Sequence, residues 1–379
     1  MTDLLEKYDD WLTDGGPAAL VIREYLMPVE GRDGAVFPPT FAAGDGFPGG
    51  YNIDGPFNGQ PDGENVCLID SVGSQGNRVE PMFAQQKYQG LVPQIIIKAS
   101  NEKQVNLLDA GHRAGDAIAR CTELASDINT AFKDVLKGNA APLAKIAPTS
   151  LVFGVWDSRD TQAKLPRIVG STIRAFNVRE LTRSAVYVPP LDYSALEVFS
   201  EEDKAKAEGN KKSPLAQRGF VHNPASGSHG GVIATGGIRR DATLNLAALR
   251  LLRAARDEGA TLTLRRYILG LSLIAFTHPS AFVGYLRQGC TLVLDPDAKP
   301  SPREFSLVHP DGKREEQNIT HDEALAFAKG AAASFGVGEN KSIDFNKEAA
   351  KKDVVDAKDK KGKNKKKKQT AADMSEDTN

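Results

Sequence analysis

A group of short polar side chains is the part of this sequence best suited to bind a charged ligand. Its hydroxyl, amide and guanidinium groups fall within eight residues: Ser71, Ser74, Gln75, Asn77 and Arg78. Such groups can donate to phosphate or sugar oxygens, and Arg does so with two parallel hydrogen bonds. The same residues also suit the polar start of a helix capped by Asp70 or Ser71. Residue chemistry alone slightly favours the helix start.

A second candidate is the basic stretch from Lys164 to Arg183. Its arginines are spaced and mixed with Ser171, Thr172 and Asn177, and acidic residues are scarce there. Such a stretch could follow a phosphate backbone, with each contact adding a salt-dependent increment of affinity. The alternative, which is the commoner fate of such a run, is a helix whose charges are solvated.

Two further features could meet phosphate. The glycine-rich run Gly227–Gly231 could present bare backbone N–H groups, but no Walker motif or dinucleotide fingerprint accompanies it. A flexible turn is therefore the better interpretation. Arg239 and Arg240 precede a helix predicted over Thr243–Arg256, where donors would face a phosphate.

The residues offer little for metal or hydrolytic chemistry. His222 and His229 have no third Cys or Asp at ligand spacing, so we expect no metal site and no cofactor. Asp70, Ser71 and His222 could be arranged as a hydrolase triad, but no nucleophile-elbow pattern supports it. Trp156 and Phe153 fall in a predicted strand over Ser150–Trp156, where one ring would enter the core and the other could stack on a base.

Composition places the chain among soluble globular proteins. It has 379 residues, of which 40% are hydrophobic and 26% charged. The three cysteines, Cys67, Cys121 and Cys290, form neither zinc spacing nor a disulfide framework, so we expect buried thiols and a reducing cytoplasm. The N-terminus lacks the apolar core of a signal peptide. The longest apolar run, Ile268 to Phe276, is far shorter than the ~20 residues that span a bilayer.

Charge is unevenly distributed although the net charge is −1. Residues 1–70 carry −10, residues 71–346 carry +5, and residues 347–379 carry +4 through eleven lysines. The isoelectric point therefore does not argue for a polyanion partner, but the distribution allows one. Residues 347–379 have no apolar face and are predicted to be a disordered basic tail.

Periodicity and turn chemistry predict interspersed strands and helices. Strands are predicted over Ala18–Met27, Gln94–Lys98 and Ser184–Val188, and as a pair over Cys290–Leu294 and Glu304–Val308. Helices are predicted over Asn106–Leu136 and Thr261–Phe276, and from a capping box at Thr320 to about Phe335. Phe37–Gly63, with 12 Gly or Pro among 27 residues, and Phe199–Pro214 interrupt this pattern. Without regular βαβ spacing, an α+β domain is preferred to a doubly wound one.

Three separated motifs occur in a recognisable order: Leu68–Glu80, Phe153–Ser158 and Leu165–Ser171. Together they resemble the backbone RAMP subunit of type I-G (formerly I-U) CRISPR interference complexes, a branch of the "Cas seven" superfamily. The resemblance runs from about Phe37 to about Phe276. It implies an RNA-recognition-motif (ferredoxin-like) core with insertions near 30–65 and 196–216, described as palm, thumb and fingers, within one domain over residues 1–346.

The resemblance also implies a function. It implies a non-catalytic protein that binds CRISPR guide RNA and polymerises in a helical filament of its own copies. The guide would be presented for pairing with a target DNA strand, beside a large subunit and a guide-processing subunit. The implied RNA-binding residues are Ser74, Gln75, Asn77, Arg78, Lys164, Arg167, Ser171 and Arg174, with Arg239 and Arg240 added less directly.

Two other classes of function stay open. Related backbone subunits of type III complexes cut RNA with a loop aspartate, so Asp70, Asp157 or Asp160 could serve in a metal-dependent enzyme. A scaffold that binds no nucleic acid would show no salt-dependent binding. The acidic first 70 residues and the basic remainder could form the two faces of a head-to-tail contact.

Overall fold

The computed structural model of the chain describes residues 2–44, 46–57, 64–100, 103–278 and 284–356. The strands are β1 (Ala19–Pro28), β2 (Thr40–Phe41), β3 (Gly50–Tyr51), β4 (Ile53–Asp54), β5 (Val66–Asp70), β6 (Ile95–Lys98), β7 (Gln104–Asn106), β8 (Val155–Trp156), β9 (Lys164–Leu165), β10 (Val169–Phe176), β11 (Val178–Tyr187), β12 (Asn223–Ala234), β13 (Ile238–Asn245), β14 (Gly284–Arg287), β15 (Cys290–Leu294), β16 (Arg303–Val308), β17 (Arg314–Glu316) and β18 (Lys341–Asp344).

Helices are interspersed with these strands. They are α1 (Thr2–Glu6), α2 (Asp9–Leu12), α3 (Val72–Val79), α4 (Ala117–Arg120), α5 (Ala125–Leu136), α6 (Ala141–Ile146), α7 (Thr149–Phe153), α8 (Glu201–Ala207), α9 (Pro214–Gln217), α10 (Leu246–Arg250), α11 (Glu258–Thr277) and α12 (His321–Phe335). The chain is thus α+β, as the interspersed pattern predicts.

One antiparallel sheet organises the fold. β13 lies between β1 and β10, and β16 pairs with the other edge of β1. Helices occur in sequence between β1 and β10 and again between β13 and β16. The spatial order β16-β1-β13-β10 with two crossovers is that of a ferredoxin-like core. β5 extends this core beyond β10, and β4 extends it beyond β5.

The two faces of this sheet differ. Inward residues of β1 alternate with half-buried ones along its whole length, because successive side chains of a strand point to opposite faces. Leu20 and Ile22 join a large core with Leu264 and Ile268 of α11 and Phe327 of α12. At the other end of the same face, Leu26, Ile173 and Ile238 form a second core. The opposite face carries half-buried side chains and is called the open face below.

Insertions extend this body. β11 and β12 form a long hairpin between β10 and β13. Between its two strands, α8 and α9 enclose a small core of Ala207, Ala216 and Val221. The predicted insertion near 196–216 therefore has helical structure of its own, while short strands β2 to β4 occur in the predicted insertion near 30–65.

Several predicted elements are present with small shifts of their ends: β1, β6, α11 and α12. The capping box at Thr320 is formed, since Thr320 accepts from the N–H of Glu323 and the Glu323 carboxylate accepts from the N–H of Thr320. The three cysteines are buried, as predicted. Burial raises the pKa of Cys67 to about 12 and that of Cys290 to about 11, so both thiols stay protonated.

The long helix predicted over Asn106–Leu136 is wrong in its first half. Only α5 is a long helix, and α4 precedes it after two 3₁₀ turns. Asn106 and Asp116 each accept a backbone N–H two residues ahead and so start short turns. The apolar spacing arose because these short segments face the same core.

The strand predicted over Ser150–Trp156 is also wrong in its first part. Residues up to Phe153 form α7, and Gly154, with φ of 78°, ends it before β8. Every residue of α7 is buried. Its β-branched and aromatic content therefore reflects burial on all sides rather than strand pairing.

Three further predictions differ from the structure. The helix predicted from Thr243 is the end of central strand β13, and helix forms only in α10, because pairing with β1 and β10 overrides local propensity. The glycine-rich run near Gly227 belongs to β12, which pairs with β11. β15 and β16 are strands, but they lie end to end along β1 instead of pairing with each other.

The C-terminal prediction of disorder differs in its first ten residues. Residues 347–356 are helical, with Arg120 paired to Asp353 at 3.1 Å. The rest of the predicted tail lies outside the described residues. In the part of the chain that the structure describes, no helix is both long enough and apolar enough to cross a membrane.

Candidate nucleic-acid interface

The first predicted motif forms the turn from β5 into α3. Ser71 is the N-cap of α3, and its hydroxyl accepts from the N–H of Ser74 at 3.2 Å. Gln75 and Val79 point inward and are buried, while Asn77 and Arg78 are exposed. Both interpretations of this motif are therefore compatible with its geometry: it is a capped helix start, and it presents an amide and a guanidinium to solvent.

Asp70, at the end of β5, is the anchor beneath α3. Its carboxylate is 1% exposed and accepts from Gln75 Nε2 at 2.6 Å and Arg287 Nη2 at 3.1 Å. Arg78 Nη2 lies 3.5 Å from the same carboxylate. Two arginines thus compensate one buried charge. Burial of this carboxylate without a partner would be costly.

A polar network continues from Asp70 under the sheet. The Ser171 hydroxyl donates to Gln75 Oε1 at 2.9 Å, and Arg240 Nε donates to Ser171 Oγ at 2.8 Å. Arg240 Nη1 donates to Glu24 Oε2 at 2.6 Å. Arg303 Nε lies 3.2 Å from the other oxygen of Glu24. We call Glu24, Asp70, Gln75, Ser171 and Arg240 the buried network.

Three predicted site residues belong to this network. Gln75 and Arg240 are 1% and 2% exposed, and Ser171 bonds to both of them. These hydrogen bonds hold α3 and the sheet together. The helix expected after Arg239 and Arg240 does not begin there, so neither residue lies at a helix N-terminus.

A second ion pair supports α3 from its C-terminal side. Arg113 Nε lies 2.6 Å from Glu80, and both side chains are buried. Burial raises the pKa of Glu80 to about 7, against the opposing effect of Arg113. Arg113 also donates to the Gly154 carbonyl at 3.2 Å and lies 3.4 Å from Asn77 Oδ1. The pair therefore orients Asn77 and ties the first motif to the second.

Arg167 of the third motif lies against α3. Its Nη1 donates to the Phe153 carbonyl at 3.1 Å. A side chain at Gly76 would meet the Arg113 guanidinium at 3.3 Å and that of Arg167 at 3.6 Å. The absence of a side chain at Gly76 is thus what lets the two guanidinium groups approach the helix.

An aromatic and a lysine lie on the β8–β9 strand pair, which precedes Arg167 in the chain. Phe153 is buried, whereas Trp156 is 56% exposed, with Lys164 Nζ 5.5 Å from its ring centroid. The division into one core ring and one exposed ring is as predicted, although Phe153 lies in a helix. We call Asn77, Arg78, Trp156, Lys164 and Arg167 the α3 surface. Ser74, half-buried on α3, borders it.

The other two predicted arginines lie elsewhere. Arg174 and Arg239 are cross-strand partners on β10 and β13, and both project from the open face. Arg174 Nη1 donates to Thr172 at 2.7 Å, and Arg239 Nε donates to Asp241 at 2.9 Å. The predicted set therefore divides between the α3 surface, the buried network and the open face.

Two of the three aspartates of the enzymatic alternative, Asp70 and Asp157, accept hydrogen bonds from neighbouring side chains. Asp70 belongs to the buried network. Asp157 accepts from the N–H and the hydroxyl of Thr161 at 2.8 and 2.6 Å. Burial would raise the pKa of Asp157, but these bonds and backbone N–H groups lower it below its ordinary value. Asp160 is exposed.

No three of the described His, Cys, Asp and Glu residues are grouped as metal ligands would be. His229 stacks beside Tyr51, with ring centroids 4.7 Å apart. His222 is half-buried.

The part of the chain that builds the α3 surface matches a known family. Residues 20–180 match the family described as CRISPR-associated protein GSU0053. The matched stretch contains all three motifs and the whole α3 surface, but neither Arg239 nor Arg240. It supports a CRISPR-associated protein. No curated protein matches the chain.

Sequence reasoning missed the arginines that hold this site, Arg113, Arg287 and Arg303. They are isolated charges far from the motifs in sequence, and no local signal marks them. Glu24 did carry a signal, because it occupies an inward position of an otherwise alternating strand. A charge at such a position requires a buried partner.

Proposed function

We propose that this chain is a non-catalytic subunit that binds CRISPR guide RNA through the α3 surface. The observation that carries the proposal is an exposed surface of one amide, three cations and one indole, built within the stretch that matches a CRISPR-associated family. Cations bind phosphates, and an exposed indole can stack on a base.

A surface of cations, one amide and one exposed ring fits this role. In a guide complex the target sequence is read by base pairing, so the protein need bind only backbone and shape. We propose that several copies lie in a row along the guide and hold it open to a target DNA strand. A large subunit and a guide-processing subunit are the further partners proposed, in the cytoplasm.

The alternative is cleavage of bound RNA through a loop aspartate. Asp70 is ion-paired to two arginines, and Asp157 caps its own turn, so Asp160 is the only one of the three with an exposed carboxylate. Incubation of bound RNA with Mg²⁺ or Mn²⁺ tests this alternative. Cleavage by the wild type that is lost in Asp160→Ala would establish an enzyme.

The proposal is tested by RNA binding at several salt concentrations. Arg78→Ala and Arg167→Ala should each weaken binding and lower the salt slope, by about 0.7 for each lost contact with a single strand. Arg78 can be removed because Asp70 keeps Arg287 and Gln75 as partners. Arg256→Ala is the matched control, an exposed arginine outside the predicted set.

The control variant should bind RNA as the wild type does. Equal weakening by all three variants would show a nonspecific charge effect and contradict the α3 surface. Binding that does not respond to salt, or no binding to guide RNA at all, would favour a scaffold without nucleic acid.

A further inference from the structure

A cleft of about 470 Å³ lies at the end of the open face, where β10 turns towards the long hairpin. Its lining includes three aromatic rings, Tyr25, Phe57 and Phe176, together with Arg239 and Asn177. Its volume falls in the range of small-ligand pockets, and its walls mix apolar and polar groups as such pockets do.

One wall is a preformed stack. The guanidinium carbon of Arg239 lies 4.7 Å from the ring centroid of Phe176. Asp241 holds the guanidinium through a 2.9 Å hydrogen bond, and Glu304 holds the hydroxyl of Tyr25 at 2.9 Å. Flat guanidinium and ring surfaces that are already fixed bind a planar heterocycle without further ordering.

Two side chains at the cleft, Phe57 and Asn177, are exposed to solvent. Phe57 is 45% exposed, although an aromatic ring gains most from burial. Asn177 is exposed, with φ of 50°, and its amide has no partner among the residues that the structure describes. A free amide can donate and accept together, as the edge of a base requires.

Two cations, Arg174 and Lys299, lie at or beside the cleft, where they could bind the phosphate of a nucleotide whose base occupies it. Arg174 projects from the same face of β10 two residues before Phe176, about 7 Å away along the strand. Within the described residues, one hydrogen bond of its guanidinium is seen, from Nη1 to Thr172 Oγ1. Lys299 lines the cleft itself. Of the two acids in the lining, Asp295 is already paired with Arg32.

We propose that this cleft binds a nucleobase, stacked between the Phe176 side and Phe57, with its phosphate towards Arg174 and Lys299. The site is separate from the α3 surface. None of the five residues that define the α3 surface is in the lining of the cleft. The base could belong to a bound strand or to a free nucleotide, and the proposal does not depend on guide binding at α3.

The probe is 2-aminopurine, whose fluorescence falls when it stacks on an aromatic ring. It is titrated as the riboside monophosphate and within a short single-stranded oligonucleotide, with ribose 5-phosphate as a competitor that lacks a base. Phe57→Ala and Phe176→Leu remove one ring each. Phe41→Ala is the matched control, since Phe41 is 40% exposed and does not line the cleft. Circular dichroism checks that each variant folds.

Loss of one stacking ring should weaken binding about five-fold or more. Quenching of both probes, weakened in the two cleft variants but not in Phe41→Ala, supports a site open to free nucleotides. Quenching of the oligonucleotide alone, with the same sensitivity, supports a site for a base within a strand. Absence of quenching, equal competition by ribose 5-phosphate, or indifference to both cleft variants overturns the proposal. Loss of RNA binding in the Arg78 and Arg167 variants tests the α3 surface, and 2-aminopurine quenching tests the cleft, so failure of one proposal is distinguishable from failure of the other.

Discussion

Single charged residues on the covered face of the sheet decide how α3 is held. Glu24 and Arg240 are almost fully buried, on neighbouring central strands. They lie between the two apolar cores. Hydrogen bonds from Arg240 to Ser171, from Ser171 to Gln75 and from Gln75 to Asp70 connect them to the base of α3. These residues specify the relative positions of the strands and α3, because the polar network is satisfied in only one register.

Removal of one partner of this pair should be strongly destabilising. Arg240→Met leaves the Glu24 charge buried, with Arg303 as its remaining ion-pair partner among the described residues, so we expect a loss of about 3–5 kcal/mol in the free energy of unfolding. The double variant Glu24→Leu with Arg240→Met should recover most of that loss. Urea unfolding monitored by circular dichroism measures both.

Arg23→Ala is the control on the same strand. Its pair with Asp241 is on the open face and partly exposed, so its loss should cost no more than about 1 kcal/mol. Equal effects of Arg23→Ala and Arg240→Met would contradict a buried network with a special role.

At the scale of elements, close contact between α11 and α12 supports the sheet from behind. Gly270 is buried in α11, and a Cβ there would lie 2.8 Å from the Cα of Ala328 in α12. Since that atom is backbone, the two helices would have to move apart. Gly259, in the first turn of α11, has no such neighbour, its nearest atom being Asp257 Oδ1 at 3.5 Å.

The two glycines should therefore respond oppositely to alanine. Gly259→Ala should raise the melting temperature, because alanine is favoured over glycine in a helix by up to about 1 kcal/mol. Gly270→Ala gains the same propensity but overpacks the helix contact, which costs about 1–3 kcal/mol. We expect a net fall in the melting temperature. Thermal scans of both variants decide, and a rise for Gly270→Ala would show that the helices separate freely.

Elements with strong local signals were predictable, and those set by pairing were not. α12 has a capping box and α11 a long apolar run, so their sequences suffice. Thr243 and Leu244 begin the leucine- and alanine-rich run that favours a helix, and only their pairing with β1 and β10 makes them the end of β13. The turns before α5 imitate a helix because each presents apolar residues to one core.

At the scale of the whole molecule, charge asymmetry suggests how copies would meet. Among the acidic residues near the N-terminus, Asp9 is ion-paired with Arg266, whereas Asp10 and Asp14 are exposed. A heterologous contact of this kind need not close, so it can extend along a guide. Asp9 is excluded from the test because its reversal would also disturb α11.

Reversal of both exposed charges, Asp10→Arg with Asp14→Arg, should shorten guide-bound assemblies because it removes attraction for a basic face. The folding of the single subunit should be unchanged. Mass photometry with guide RNA at low and high salt measures the lengths. Asp127→Arg, an exposed reversal on α5, is the control. Assemblies of unchanged length in the double variant would contradict this contact.

The sequence by itself determined the chemistry of the motif around α3, the burial of the cysteines and the α+β class, while it left Asp70 and Ser71 as alternative caps of that helix. These follow from residue types and short-range spacing. The tertiary structure alone decided which predicted residues face solvent. Gln75 and Arg240 look like Asn77 and Arg78 in sequence, yet the first two are buried and, with the half-buried Ser171, bond to partners that lie up to 216 residues away. Long-range pairing across the sheet decides between a ligand-binding arginine and a structural one, because a buried charge must find its counter-charge wherever the fold places it.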